Sequence, residues 1–220
     1  GSAVARVAEH ELTGRAEVVL AIGGDGTLLY AARLVAHRGI PLLGINRGRL
    51  GFLTDVLPQD ITASIDAVLQ GDCDFDERPL LEARLERAGG ERLTQLALND
   101  VVMQKYETGR MLDFESWIDG RFVNSHGADG MVVASATGST AYALSCGGPI
   151  VEPHLDVVVV APICPHTLSD RPIVVPRRST VEVMLIDRPG TRAHVTVDGV
   201  VMADLVAGDR LAIAPSNHAI

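Results

Sequence analysis

Lysine is almost missing from this chain. Of nineteen basic residues only Lys105 is a lysine, against twenty-eight acidic ones, for a net charge of −9 and a pI near 5.2. A general binder of nucleic acid or of anionic membrane needs a basic face, so both classes are disfavoured. An anionic ligand would have to be held by arginine forks, backbone N–H groups or a metal. Cysteine is scarce as well. Cys73, Cys146 and Cys164 are odd in number, far apart and form no C-x-x-C pair. That argues against a disulfide framework or a zinc cluster and fits a reducing setting. No apolar run approaches the roughly 18 residues of a membrane span; the longest, residues 157–163, is strand-sized. The first residues carry no signal-peptide pattern, so the expected location is cytoplasmic. Gly1-Ser2 reads as a cloning remnant.

What is present is apolar material. The 220 residues are 47% hydrophobic and 21% charged, which excludes disordered and low-complexity classes and allows one large domain or two small ones. From Ala16 to about Gly71 short apolar strands alternate with glycine turns and helices. Strands are expected at 16–22 and 40–45, and helices at 27–37 and 59–70, the last stopped by Gly71. From Phe75 onward β-branched runs dominate, at 97–103, 113–118, 131–134, 157–160, 173–175, 180–186, 193–197 and 210–213. Turn signals such as Asp119-Gly120 and Asp198-Gly199 separate several of them. The expected fold is a Rossmann-like α/β domain over residues 1–74, followed by a mostly antiparallel β-sandwich over 75–220.

Three segments look chemical. Gly23-Gly24-Asp25-Gly26-Thr27 lies between a strand and a helix, where glycines let a ligand approach the backbone and the helix start offers N–H groups to phosphate. It is neither a Walker-type loop nor G-x-G-x-x-G, since Leu29 takes the third-glycine place. A carboxylate repels phosphate unless it serves a hydroxyl or a metal, so Asp25 suggests proton abstraction or ribose binding; the plainer reading makes it a helix N-cap. The second segment is 128–150, ADGMVVASATGSTAYALSCGGPI, whose hydroxyls and small residues suit a nucleotide and whose Tyr142 suits a base. The third is Asn99-Asp100, a polar pair interrupting an apolar strand. The histidines His126, His154, His166 and His194 have no metal-ligand spacing.

The order GGDGT, GINRGRLGFLTD (44–55), ND (99–100) and ADGMVVASATGSTAYALSCGGPI resembles the NAD kinase family. These blocks keep the family's order from about Ala16 to Leu211. GGDG alone is shared with lipid kinases of the diacylglycerol kinase type. The resemblance implies transfer of the ATP γ-phosphoryl to the adenosine ribose 2′-hydroxyl of NAD. It assigns Asp25 as general base, beside Gly24, Gly26 and Thr27. Asn99 and Asp100 would hold the dinucleotide, Asp129 its nicotinamide end, and Thr140, Ala141, Tyr142 and Ser145 the adenosine pocket. Arg110, eleven residues past Asn99, falls at another family binding position. Mg²⁺ delivered with ATP, and a homodimer or homotetramer, are expected on the same ground. The alternatives are a lipid kinase sharing GGDGT and a regulator that binds NAD or NADP without turnover. Ala136 stands where the family usually has proline, which removes a constraint from that turn. A preceding βα unit and a C-terminal segment returning to the first domain are expected to be missing or cut short.

Overall fold

A computed structural model describes residues 6–48, 51–54, 56–106, 111–167, 169–186 and 192–220. The chain divides into two compact units, one of residues 1–77 with 218–220, the other of 78–217.

The first unit opens with a helix not foreseen from the sequence, α1 (Glu9–Arg15), and then builds strand β1 (Val19–Gly23), helix α2 (Asp25–Val35), strand β2 (Leu42–Asn46) and helix α3 (Ile61–Gln70). Strands β1 and β2 pair in parallel, Val19 opposite Leu42, as a strand–helix–strand crossover requires. Helix α2 buries Leu28, Ala31, Ala32 and Val35, one face at helical spacing. It starts at Asp25, two residues before its expected start, because the helix is entered directly from the glycine turn. Helix α3 ends at Gly71, whose φ of 73° is left-handed, the conformation glycine adopts without a Cβ penalty. Residues 218–220 group with this unit, and the His218 ring meets His37 edge-on at 5.2 Å.

The second unit is a sandwich of two six-stranded sheets. In chain order its strands are β3 (Pro79–Glu86), β4 (Arg92–Ala97), β5 (Asp100–Lys105), β6 (Leu112–Ile118), β7 (Arg121–Ala128), β8 (Gly130–Ser135), β9 (Val157–Ile163), β10 (Ile173–Pro176), β11 (Val181–Leu185), β12 (Arg192–Val197), β13 (Val200–Val206) and β14 (Arg210–Ala219); a short helix α4 (Tyr142–Ser145) follows β8. One sheet runs β10-β9-β8-β5-β12-β13 and the other β4-β3-β14-β11-β6-β7. Their inner faces make one core, with Leu81, Leu85, Phe114 and Leu211 against Met103, Met131, Val133 and Val195.

The expected strand 97–103 is two strands. The chain leaves β4 in one sheet at Ala97 and enters β5 in the other at Asp100. The polar pair sits at that crossing, not inside a strand. Strand β8 is buried at every position because its outer face carries a second cluster, in which Val132 and Ala134 pack with Ala143 of α4 and Val151. A strand covered on both faces reads as a continuous apolar run, and that covering layer is the TGSTAY segment.

Candidate functional site

In the first unit the backbone turns out of β1 at Gly23. A Cβ on Gly23 would lie 2.2 Å from Thr27 Oγ1, so glycine is what lets Thr27 fold back over the turn. Gly24 is the helix N-cap, without a side-chain capping bond. The reading of Asp25 as N-cap is thereby corrected. Its carboxylate instead takes two backbone N–H groups from a segment far along the chain, Phe52 at Oδ2 (3.0 Å) and Leu53 at Oδ1 (3.1 Å). A Cβ on Gly51 would lie 2.2 Å from Asp25 Oδ1. The segment is tied from its other side by Asn46, buried at the end of β2, whose Oδ1 accepts the Gly48 N–H at 2.7 Å and whose Nδ2 donates to the Thr54 carbonyl. Gly51 and Asn46 were missed as site-building residues. The signal was an asparagine closing an apolar strand just before Gly48.

In the second unit Asp198 organises the site. Asp198 and Gly199 both take positive φ, 47° and 77°, the hairpin turn that Asp-Gly favours. The Asp198 carboxylate accepts the N–H groups of Leu98, Asn99 and Asp100 at 2.8, 2.8 and 3.1 Å, pinning the crossing between sheets. From the sequence it was only a turn marker. Asp100 is buried, and burial, followed by the nearby Asp198 carboxylate, pushes its pKa up to about 7 against a partly offsetting Tyr142 backbone N–H. Asn99 Oδ1 is buried without a hydrogen-bond partner among the described residues.

The TGSTAY turn locks onto this crossing. Ser135 Oγ donates to the Leu98 carbonyl at 2.5 Å and accepts the Gly138 N–H at 3.1 Å. Ser139 Oγ accepts the Val151 N–H at 3.0 Å. A Cβ on Gly138 would fall 2.0 Å from the Asn99 carbonyl oxygen. Thr140 and Ala141 are half-buried, Tyr142 and Ser145 exposed. Burial raises the Tyr142 pKa, and the Cys146, Cys164, Asp129 and Asp100 groups add to it. Asp129, at the β7–β8 junction, pairs with the single lysine, Lys105, at 2.7 Å. Lys105 was also missed.

The residues singled out from the sequence therefore form two groups. Gly24, Asp25, Gly26 and Thr27 gather in the first unit. Asn99, Asp100, Thr140, Ala141 and Tyr142 surround one crossing in the second, with Ser145 at the end of α4, whereas Asp129 lies at the other end of the β5–β8 pair, beside Lys105. Arg110 lies outside the described residues. Among the described residues no three His, Cys, Asp or Glu side chains gather as a metal cluster.

Family models match over both units: an ATP-NAD kinase N-terminal domain over residues 3–73 and an ATP-NAD kinase C-terminal domain over 98–220. The chain is 47% identical over 207 residues to an NAD kinase of Nitrosococcus oceani, covering 94% of this chain and 71% of that one. It is 48% identical over 212 residues to an NAD kinase of Thiobacillus denitrificans, covering 96% and 72%. Among solved structures it is similar to yeast NADH kinase complexed with NADH, at a TM-score of 0.90 and 28% identity, over 96% of this chain and 60% of that chain. It is also similar to an NAD kinase from Archaeoglobus fulgidus in complex with ATP, at a TM-score of 0.79 and 28% identity, over 96% and 78%.

Proposed function

The chain belongs to the NAD kinase family, whose reaction phosphorylates NAD to NADP, and we propose that in it Asp25 removes the proton of the ribose 2′-hydroxyl while the ATP γ-phosphoryl is transferred. The observation that carries this reading is the placement of Asp25. Its carboxylate stands in the first turn of α2, beside two glycines, and is fixed by the Phe52 and Leu53 N–H groups rather than spent on capping. The first N–H groups of a helix lack intrahelical acceptors, so Gly24 to Thr27 suit phosphate oxygens. A ribose hydroxyl is a poor nucleophile at neutral pH, and a positioned base is worth roughly 10²–10⁴-fold.

The second-unit residues bind the dinucleotide in this reading. Asn99 Oδ1 is a buried acceptor awaiting a donor, and an unmade bond there is unfavourable until a ligand hydroxyl or amino group supplies one. Asp100 stands beside it. Thr140, Ala141, Tyr142 and Ser145 line the adenosine, Asp129 meets the nicotinamide end, and Arg110 contacts an anionic group. Because the one lysine is already paired with Asp129, Mg²⁺ arriving on ATP answers the phosphate charge. We also place the protein in the cytoplasm as a homodimer or homotetramer; no helix among the described residues is long and apolar enough to cross a membrane. Val200, Val201 and Val206 stand exposed on the edge strand β13, a surface suited to self-association.

The lipid-kinase alternative is not favoured, since the matches extend through both units. The test is NADP formation from NAD and ATP, run with Asp25→Asn alongside. The variant should lose roughly 10²–10⁴-fold in kcat and keep near-normal NAD affinity. Asn offers one carbonyl oxygen where Asp25 uses two, so a melting temperature a few degrees lower is also expected. Near-normal turnover would assign Asp25 to loop anchoring alone. NAD binding without ATP consumption in the unaltered chain would favour the regulator.

A further inference from the structure

A second set of chemical groups lies inside the sandwich, among residues the kinase reading leaves unused. Ser116 on β6, His126 on β7 and Asp170 in the β9–β10 connection form one hydrogen-bonded line. Ser116 Oγ is 2.8 Å from His126 Nε2, and His126 Nδ1 is 2.6 Å from Asp170 Oδ2. Their relative exposures are 3%, 5% and 7%. A carboxylate only accepts, so Nδ1 carries the proton and Nε2 of the neutral ring is left to accept from the serine hydroxyl. That is the order nucleophile, base, orienting acid, recognised by geometry rather than by chain position. Phe114 stacks on the imidazole at 4.8 Å and 20°, which holds the ring plane.

The line borders a cavity of about 350 Å³ between the two sheets, within the size range of small-ligand pockets. Met131, Val160 and Val181 give it an apolar floor, and its rim reaches solvent at Val123 and Ile173. The β6–β7 register shifts at Ser116/Trp117, pairing Ser116 with Asn124 and leaving Val123 as the extra residue of a bulge, a device that re-aims side chains beside sites. As cross-strand partner of Ser116, Asn124 shares its face and also lines the cavity. Its amide is the type of donor that stabilises a tetrahedral oxyanion.

We propose that Ser116, His126 and Asp170 form a hydrolytic site for small neutral esters with a short apolar acyl group. Ser116 Oγ attacks the ester carbonyl carbon as its proton passes to His126 Nε2. The carbon–alkoxy bond then breaks, and the leaving alcohol takes that proton. Water next attacks the acyl-serine, gives one proton to His126 and releases the carboxylic acid, and the imidazole returns its proton to Ser116. Asp170 steadies the imidazolium in both halves.

The experiment uses the whole chain with p-nitrophenyl acetate and butyrate, together with a fluorophosphonate that reacts with activated serines. Expected are saturable hydrolysis above the buffer rate, a fluorophosphonate mass addition on Ser116, and loss of hydrolysis by roughly 10²–10⁴-fold in Ser116→Ala with NADP formation unchanged. Hydrolysis at the buffer rate, hydrolysis that survives Ser116→Ala, or a fluorophosphonate that leaves Ser116 unlabelled in the unaltered chain would each overturn the proposal and make the line a structural tie between the sheets. The labelling result stands whether or not the variant folds.

Discussion

A methyl group placed on Gly24 or Gly26 would meet nothing within 4 Å, whereas one on Gly138 would lie 2.0, 2.4 and 2.6 Å from the backbone O, C and Cα of Asn99. The two glycine-bearing turns thus use glycine for different reasons. In the second unit the protein's own backbone fills the space, so glycine there serves the fold. In the first Gly23 makes room for the Thr27 side chain, but the space at Gly24 and Gly26 is open, which fits a turn kept bare there for a ligand. The acids beside the turns differ in the same sense. Asp25 reaches an exposed segment and makes two hydrogen bonds. Asp100 is buried beside Asp198, with its pKa pushed up to about 7. A pocket built by packing resists substitution through stability, and an open turn resists it through activity.

The largest effect should come from Gly138→Ala. Backbone on both sides must move to admit the Cβ, and Ser135 and Asp198 hold that backbone in place. We expect a loss of several kcal/mol, within the range of strongly destabilising core changes (roughly 3–5 kcal/mol), read as a fall in urea midpoint. A midpoint unchanged from the parent would break the contrast at its root.

Asp100→Asn comes next and has the opposite sign. An acid whose pKa is raised on folding from 3.8 to about 7 favours the folded state fully below the lower value, and that contribution disappears as pH rises through the upper one. Asparagine does not ionise and retains an oxygen for the Tyr142 N–H. At pH 8 the variant should therefore be more stable, by an amount on the order of 2–4 kcal/mol, with the gain gone by pH 4, while NAD affinity falls. Parallel stability–pH curves for parent and variant would mean that Asp100 is not held against its ionisation.

Much of this was legible beforehand because local chemistry and global role agree. The glycine turn, the parallel β1–β2 crossover, the Gly71 stop and the sandwich class all follow from short-range patterns. Strands β3, β4, β7 and β13 were not foreseen. The first two mix Glu, Arg, Thr and Gln with leucines, β7 carries glycine, asparagine and histidine, and β13 breaks its valines with Met202-Ala203-Asp204, so none reads as an unbroken β-branched run. The candidate site residues came from motifs, while the residues that hold them in place carry no such mark. Asp198 meets residues 98–100 across about a hundred positions of chain, and Phe52 meets Asp25 across 27. A pairing of backbone N–H with a distant carboxylate leaves no periodic mark. The Ser116–His126–Asp170 line is the same case, since each member looks ordinary in its own strand or loop.

Gly26→Ala tests the open turn directly. Gly26 lies in the first turn of α2 with free space around it, and alanine is the better helix former by about 1 kcal/mol. Stability should stay level or rise, while the KM for ATP rises because the methyl stands where phosphate approaches. A variant with unaltered ATP kinetics would remove ligand approach as the reason for that glycine.

The smallest effect concerns the packed turn, where rigidity can be added rather than removed. Ala136 has φ −56° and ψ −42°, and proline holds φ near −65°. Ser135 before it ends a strand, the extended conformation that a residue preceding proline prefers. Ala136→Pro thus meets a backbone already in proline's conformation and acts chiefly by restricting the unfolded chain, worth about 0.4–1 kcal/mol. Against this, Ala136 is buried in the cluster beneath α4, so the ring must fit where a methyl now sits. A rise of a few degrees in Tm with unchanged NAD affinity is expected, since the turn is already held by Ser135 and Ser139 and gains no new shape. A fall in Tm would show that the covering layer has no slack even for a residue its backbone already suits, and would extend the packing constraint from Gly138 to the whole turn.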